Sequence, residues 1–251
     1  MREVRYYNDY TDDFSKSKNQ SFKLPNDYEH IKTGFFSKLS SVVVYTLAIV
    51  FSSICLRIFL HLRFSGKNKF KKVNGGFFIY GNHTQSVGDV FIPALAAFPR
   101  RIYTVASTAN YGIPVIGKIL RPLGALPVIP TLKGISNLET AIKKRAEENH
   151  PIVIYPEAHV WDYYTGIRPF PDTSFKFPVK LDMPVFSMTA TYKKSKFFKK
   201  PIINIIIDGP FYPEGETVKG KAQSLHDKVY ESLTANAKQS NFSYIEYKKA
   251  E

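Results

Sequence analysis

The chain has 251 residues, with 35 Lys+Arg against 21 Asp+Glu for a formal charge of +14, and it is 44% apolar and 15% aromatic. That apolar content excludes wholesale disorder, and a single cysteine, Cys55, excludes a disulfide framework or a Cys-rich metal site. The positive balance suits nucleic acid, anionic lipid or a phosphorylated substrate alike, so charge alone assigns no partner.

Residues 1–34 are a polar, Tyr-rich lead-in with both signs of charge, read as a poorly packed segment. They do not fit a secretory signal, which puts its basic and apolar regions at the extreme N-terminus. The next stretch, LSSVVVYTLAIVFSSICL (39–56), holds 18 residues without a charge, bracketed by Lys38 and Arg57 and continued to Leu60. A spanning helix takes roughly 20 mostly apolar residues, so this run is short, and four serines and a threonine weaken it. Residues 35–65 thus read as a membrane-associated helical segment that crosses the bilayer or lies in its interface, with a buried core helix as the alternative. Residues 57–72 carry six Lys and Arg against three in 23–38, a bias that places the C-terminal bulk on the cytoplasmic side.

After Lys72, strands and helices alternate. GGFFIYGN (75–82) reads as a buried strand ending in a turn, DVFIPALAAF (89–98) as a helix, and RIYTVAS (101–107) and ALPVIP (125–130) as strands. SNLETAIKKRAEEN (136–149) reads as a helix opened by Ser136 with Glu139 three residues on, the pattern of a capping box. PIVIYPE (151–157) is a continuous apolar strand of the kind covered on both faces. DMPVFSMTATY (182–192) and PIINIIIDGPF (201–211) are two more strands, and residues 217–240 form a closing helix. The alternation predicts an α/β fold: one domain over 66–251, its mostly parallel or mixed sheet flanked by helices and preceded by the apolar membrane-associated helix.

The stretch FFIYGNHTQSVGD (77–89) carries the chemistry. A strand delivers Asn82 and His83 to its C-terminal edge, where open α/β sheets place their ligands, and Asp89 follows at the start of the next helix. A His with a carboxylate in reach can take a proton from an alcohol: the imidazole titrates near neutrality and the carboxylate sets its tautomer. No G-x-S-x-G nucleophile elbow occurs, so His83 would activate a substrate hydroxyl and not an enzyme nucleophile.

The order of the surrounding blocks resembles the glycerolipid acyltransferases, the family typified by 1-acylglycerol-3-phosphate acyltransferase. The blocks are the apolar segment Leu39–Leu60, Asn82-His83…Asp89, Gly124-Ala125-Leu126-Pro127-Val128-Ile129-Pro130, Ile154-Tyr155-Pro156-Glu157 and Met183-Pro184-Val185-Phe186. The resemblance spans residues 39–190 and implies His83 as general base, Asp89 as its orienting partner, and Asn82 and Glu157 on the substrate side. Three departures stand out. Five residues separate His83 from Asp89 where the family has four, and Gly88 is expected to absorb the extra one in a φ > 0 or bulge-like conformation. The second block ends in Pro130 where the family places an arginine. Glu157 is followed by Ala158-His159-Val160 where the family has Gly-Thr-Arg. Arginine binds phosphate in a bidentate way that few residues imitate, so either other cations substitute or the acceptor is not a simple glycerol phosphate. Arg168 is the nearest substitute as a phosphate or headgroup contact, with Arg121, Lys133 and Lys176 behind it.

His159 with His83, Asp89 and Glu157 invites a metal reading, but no helical zinc spacing is present and none is assigned. Trp161-Asp162-Tyr163-Tyr164 either walls the pocket, sits at headgroup level, or is core. YKKSKFFKK (192–200) has five lysines and no acid around Phe197-Phe198, which suits an anionic bilayer surface or, more plainly, a solvated hairpin connection. No nucleic-acid motif accompanies the lysines, so nucleic acid is not expected as a partner.

The expectation is a membrane-associated acyltransferase moving a fatty acyl group from an acyl thioester (acyl-CoA or acyl-carrier protein, as co-substrate) to a lysophospholipid hydroxyl, with no metal or bound cofactor. Two alternatives stand beside it: the same reaction on a glycolipid-type, non-phosphate acceptor, and a non-catalytic lipid-binding protein on the same scaffold.

Overall fold

The computed structural model describes residues 3–14 and 21–250; residues 1, 2 and 15–20 of the expected lead-in, and 251, lie outside them. Its main sheet has seven strands, β2 (Arg63–Ser65), β3 (Phe78–Gly81), β4 (Tyr103–Ser107), β5 (Ala125–Val128), β6 (Ile152–Ile154), β7 (Val185–Lys193) and β8 (Ile202–Phe211), in the order β2-β8-β7-β3-β6-β4-β5. Neighbours run parallel except β7 and β8, so the sheet is mixed, as expected. β3, β6 and β7 are apolar-rich and buried on both faces because helices cover both sides.

One face carries α1 (Phe35–Phe59) and α2 (Gly88–Ala97), whose Ile49, Leu56 and Ile92 share a core with Phe77, Ile79, Phe186 and Ile205. The other face carries α4 (Leu132–Glu147) and α6 (Val218–Ala237), whose Leu138, Ile142, Leu225 and Val229 close on Phe78, Tyr80 and Ile152. Two short helices, α3 (Ile116–Leu120) and α5 (Lys176–Lys180), complete the connections. α4 opens earlier than the capping-box pattern suggests. Thr131 is its N-cap, accepting from Gly134 N–H at 3.1 Å, so Ser136 and Glu139 sit inside the helix.

α1 is docked along its length. Ser41, Tyr45, Ile49, Ser52 and Leu56 recur every three or four residues and form one seam. Ser41 Oγ donates to the Pro122 carbonyl at 3.0 Å, Tyr45 Oη accepts from Ile102 N–H at 3.2 Å, and Ile49, Ser52 and Leu56 are buried. The opposite stripe is apolar and open, with Phe36 83%, Leu47 65% and Phe51 71% exposed. β2, inside the stretch read as membrane-associated, is instead an edge strand of the main sheet.

The lead-in is packed, contrary to its polar composition. β1 (Glu3–Tyr7) pairs in parallel with β9 (Ile245–Lys249) in a separate two-stranded sheet. Tyr7 and Phe14 then close on the Trp161 ring at 4.9 and 5.1 Å, and Trp161 Nε1 donates to the Asp12 carbonyl at 2.7 Å. The lysine run joins β7 to β8 as a hairpin connection, with all five lysines exposed. Phe198 stacks on His61, just past α1, at 3.9 Å, while Phe197 is left 88% exposed.

Candidate active site

β3 ends at Gly81, and the next two residues leave the C-terminal edge of the sheet. Asn82 is spent on holding that exit. Its Nδ2 donates to the Ala190 carbonyl at 3.2 Å and its Oδ1 accepts from Ala190 N–H at 2.8 Å, tying the loop to β7. It is buried, so the structure places it in the scaffold and not against a substrate as expected.

His83 and Asp89 are brought together. His83 Nδ1 and Asp89 Oδ2 are 2.7 Å apart, with the imidazole 20% and the carboxylate 5% exposed, so the ring is reached from outside while its partner is shielded. With Nδ1 engaged, Nε2 is the nitrogen left for a substrate. The same Asp89 oxygen accepts from Gln85 N–H at 2.9 Å. Burial pushes the Asp89 carboxyl above its usual range, against the bonds from His83 and the Gln85 and Thr84 N–H groups. Below the pair, Tyr192 Oη donates to Thr84 Oγ1 at 2.7 Å and accepts from Gln85 Nε2 at 3.0 Å, anchoring the intervening loop.

The extra residue in that loop is not absorbed by a positive φ at Gly88. Gly88 is the first residue of α2, after Val87 in the right-handed region, and the Asp89 N–H donates to the Gln85 carbonyl at 2.9 Å. The loop therefore joins α2 through a helical turn. A side chain at 88 would be tightly placed: a Cβ there would lie 2.8 Å from Ile92 Cδ1 and 3.0 Å from Gln85 Cβ.

Glu157 and Arg168 form a second, inward-facing centre. Glu157 Oε2 accepts from His83 N–H at 3.1 Å and from Arg168 Nη2 at 2.9 Å, while Oε1 accepts from Arg168 N–H at 2.9 Å. The two side chains are 0% and 1% exposed. Arg168 also donates to the carbonyls of Tyr10 and His159 and lies over the Trp161 ring at 4.9 Å. Where a phosphate contact for Arg168 and an acceptor contact for Glu157 are expected, the structure shows both side chains buried and bonded to each other, holding the His83 loop against the 157–168 loop. Trp161, fully buried, is core.

Arg121 is not brought to the site. It precedes β5, at the edge where the parallel strands begin, whereas His83 follows β3 at the edge where they end. There Arg121 Nε donates to Tyr28 Oη at 2.8 Å, with its guanidinium 4.3 Å from that ring. Among the described residues, no group of three or more His, Cys, Asp and Glu side chains converges to hold a metal. The side chain that sequence reasoning passed over is Tyr155. Its ring lies 4.5 Å from the His83 ring at 17°, and its hydroxyl donates to the Asp89 carbonyl at 2.8 Å. The available signal was Gly81, which faces it across paired strands: a Cβ there would meet Tyr155 Cε1 at 2.9 Å.

Chemically, the arrangement offers a partly exposed imidazole with its tautomer fixed by a buried carboxylate, on a rigid sheet edge. No curated protein matches the chain in sequence. Among solved structures it is similar in fold to PlsC, the 1-acyl-sn-glycerophosphate (LPA) acyltransferase from Thermotoga maritima. The TM-score is 0.54 at 14% identity over 81% of this chain and 94% of that one. A model of the acyltransferase family matches residues 61–191, just over half of the chain and inclusive of His83, Asp89 and Glu157. The chain belongs to the acyltransferase family.

Proposed function

We propose that this acyltransferase moves a fatty acyl group from an acyl thioester, carried on coenzyme A or an acyl-carrier protein, to a hydroxyl of a lysophospholipid. The observation that carries the reading is the 2.7 Å His83–Asp89 pair, with its imidazole exposed and its carboxylate shielded. In the proposed reaction His83 Nε2 takes the acceptor's hydroxyl proton as the oxygen attacks the thioester carbonyl. The tetrahedral oxyanion, held by backbone N–H groups, collapses and breaks the C–S bond, and the departing sulfur takes the proton back from the imidazolium. Asp89 stabilises that imidazolium. Every proton step runs through this chain's own side chains.

The membrane enters through α1. A helix crossing a bilayer meets lipid all round, but this one is pinned to the domain from Ser41 to Leu56 and open on the far side. That supports a helix lying in the interface with its apolar stripe among the acyl chains. The basic hairpin at its C-terminal end supports an anionic surface of the kind found on cytoplasmic leaflets.

A second reading, acyl transfer to a non-phosphate acceptor, is favoured by one observation. The family's two arginines are replaced, and Arg168, the nearest substitute, is sealed against Glu157. Purified protein given long-chain acyl-CoA with lysophosphatidic acid or a neutral glycolipid acceptor, scored by product mass, separates the two. In the same assay His83→Ala should abolish thiol release while the protein stays folded. Retention of most activity would sink the general-base mechanism, and lipid binding without turnover in the parent protein would favour the non-catalytic alternative.

A further inference from the structure

α2 contains a proline at position 93, four residues after Asp89. In an α-helix the carbonyl of Asp89 would accept from the N–H of residue 93, and proline has none; its ring also pushes against that carbonyl. The carbonyl belonging to the residue that orients His83 is therefore the one carbonyl in α2's first turn deprived of its helical donor. Left unpaired away from water it would be costly, and the segment bearing Asp89 would be free to tilt.

Tyr155 fills that gap. Its hydroxyl donates to the Asp89 carbonyl at 2.8 Å, and burial, with Asp89 close by, holds the phenol well above its usual range, so it stays a donor at neutral pH. The ring of the same residue lies nearly parallel to the His83 imidazole, 4.5 Å away. Gly81 on the adjacent strand leaves the slot the ring occupies, since even a Cβ there would come within 2.9 Å of Tyr155 Cε1. A closed circuit results: His83 ring, Tyr155 ring, Tyr155 hydroxyl, Asp89 backbone, Asp89 carboxylate, and back to His83 Nδ1 at 2.7 Å. A phenylalanine would supply the stacking, but only tyrosine supplies the hydrogen bond.

We propose that Tyr155 is a positioning residue for the His83–Asp89 pair, its ring seating the imidazole and its hydroxyl taking the place of the N–H that Pro93 lacks. The inference rests on the reading of His83 as general base. It extends that reading by making the pair's geometry depend on a coupling between residues 155 and 93, neither of which gives or takes a proton in the reaction.

The test is a cycle of four full-length proteins: the parent, Tyr155→Phe, Pro93→Ala, and the double variant. Each is assayed for thiol release from acyl-CoA with a lysophospholipid and unfolded in urea. Tyr155→Phe keeps the stacked ring and loses the hydrogen bond, so kcat should fall about tenfold with KM for both substrates within about twofold. Pro93→Ala restores an N–H to the Asp89 carbonyl, so in that background the same Tyr→Phe change should cost less than about twofold. A general structural role for Tyr155 would give equal losses in both backgrounds. That result, or an unchanged kcat in Tyr155→Phe alone, overturns the proposal. If His83→Ala retains activity, the general-base reading falls instead, and the 155–93 coupling is then read from the urea midpoints of the same four proteins.

Discussion

Replacing Arg168 by Met removes the cation that pairs with buried Glu157. The pair is 2.9 Å apart with side chains 1% and 0% exposed, so water and salt do little to screen it. Glu157 would keep the N–H groups of His83 and Arg168, but the carbonyls of Tyr10 and His159 would lose donors and Trp161 its stacked guanidinium. Breaking a buried pair from one side costs about 3–5 kcal/mol. At 2–4 °C per kcal/mol for a chain of this size, the melting temperature should fall by roughly 6–20 °C. With a urea slope of about 3 kcal/mol/M, the midpoint should drop by about 1–1.7 M. Trp161 is the chain's single tryptophan and sits against Arg168, so its fluorescence reports the transition, with far-UV circular dichroism as the independent probe. Adding Glu157→Gln removes the orphaned charge and should recover part of the loss. If instead the midpoint stays put while KM rises for phosphorylated acceptors only, Arg168 is a headgroup ligand and its burial against Glu157 has been misread.

Two further outcomes follow from the site and the surface. Because burial raises the folded-state pKa of Asp89 above its unfolded value, stability present at low pH is lost as pH rises through that folded value. Asp89→Asn should therefore raise the melting temperature relative to the parent increasingly toward neutral pH while cutting turnover at least 100-fold; an advantage over the parent no larger at pH 7 than at pH 4 would contradict this. Changing Lys194, Lys196 and Lys199 to Gln removes three exposed charges, each worth about 1 kcal/mol at an anionic surface. Sedimentation with phosphatidylglycerol-containing vesicles should weaken roughly 100-fold while binding to neutral vesicles, carried by α1, is kept; equal losses on both would refute an electrostatic contact.

Much of the framework was legible in the residues because the signals are local. The apolar runs at 75–82, 151–157, 182–192 and 201–211 each contain a strand of the main sheet, and the Asn82-His83…Asp89 spacing places the pair where a parallel strand must deliver it. What escaped were properties set by distant partners. Arg168 looks like a loop cation until Glu157, Trp161 and the Tyr10 carbonyl, far away in sequence, are seen to enclose it. The lead-in reads as solvated because its apolar content is aromatic and sparse, yet Tyr7 and Phe14 find one tryptophan to cover. Ala158 sits in the left-handed region at φ 65°, which composition cannot disclose. α4 is capped by Thr131 and not Ser136: two plausible caps lie within one helix length, and it is the Thr131 side chain that accepts from Gly134 N–H.

The pairing of β1 with β9 has a consequence for the order in which the molecule is assembled. Tyr7 on one strand and Tyr247 on the other both close on Trp161, at 4.9 Å each, and the segment that follows β1 brings the Tyr10 carbonyl to Arg168. During synthesis β1 is made long before its ladder partner β9, whereas Trp161 and Arg168, which residues 7–14 also contact, are made in between. The sheet, the helices and the His83–Asp89 pair can form before β9 is made, whereas the Tyr247 side of the cover over Trp161 cannot. Closing a loop that long costs little more than closing one half its length, about 0.6 kcal/mol, so the delay is kinetic more than thermodynamic. The β1–β9 ladder is the last part of that cover to close. A newly made chain can thus hold the His83–Asp89 pair before the β1–β9 ladder closes over Trp161.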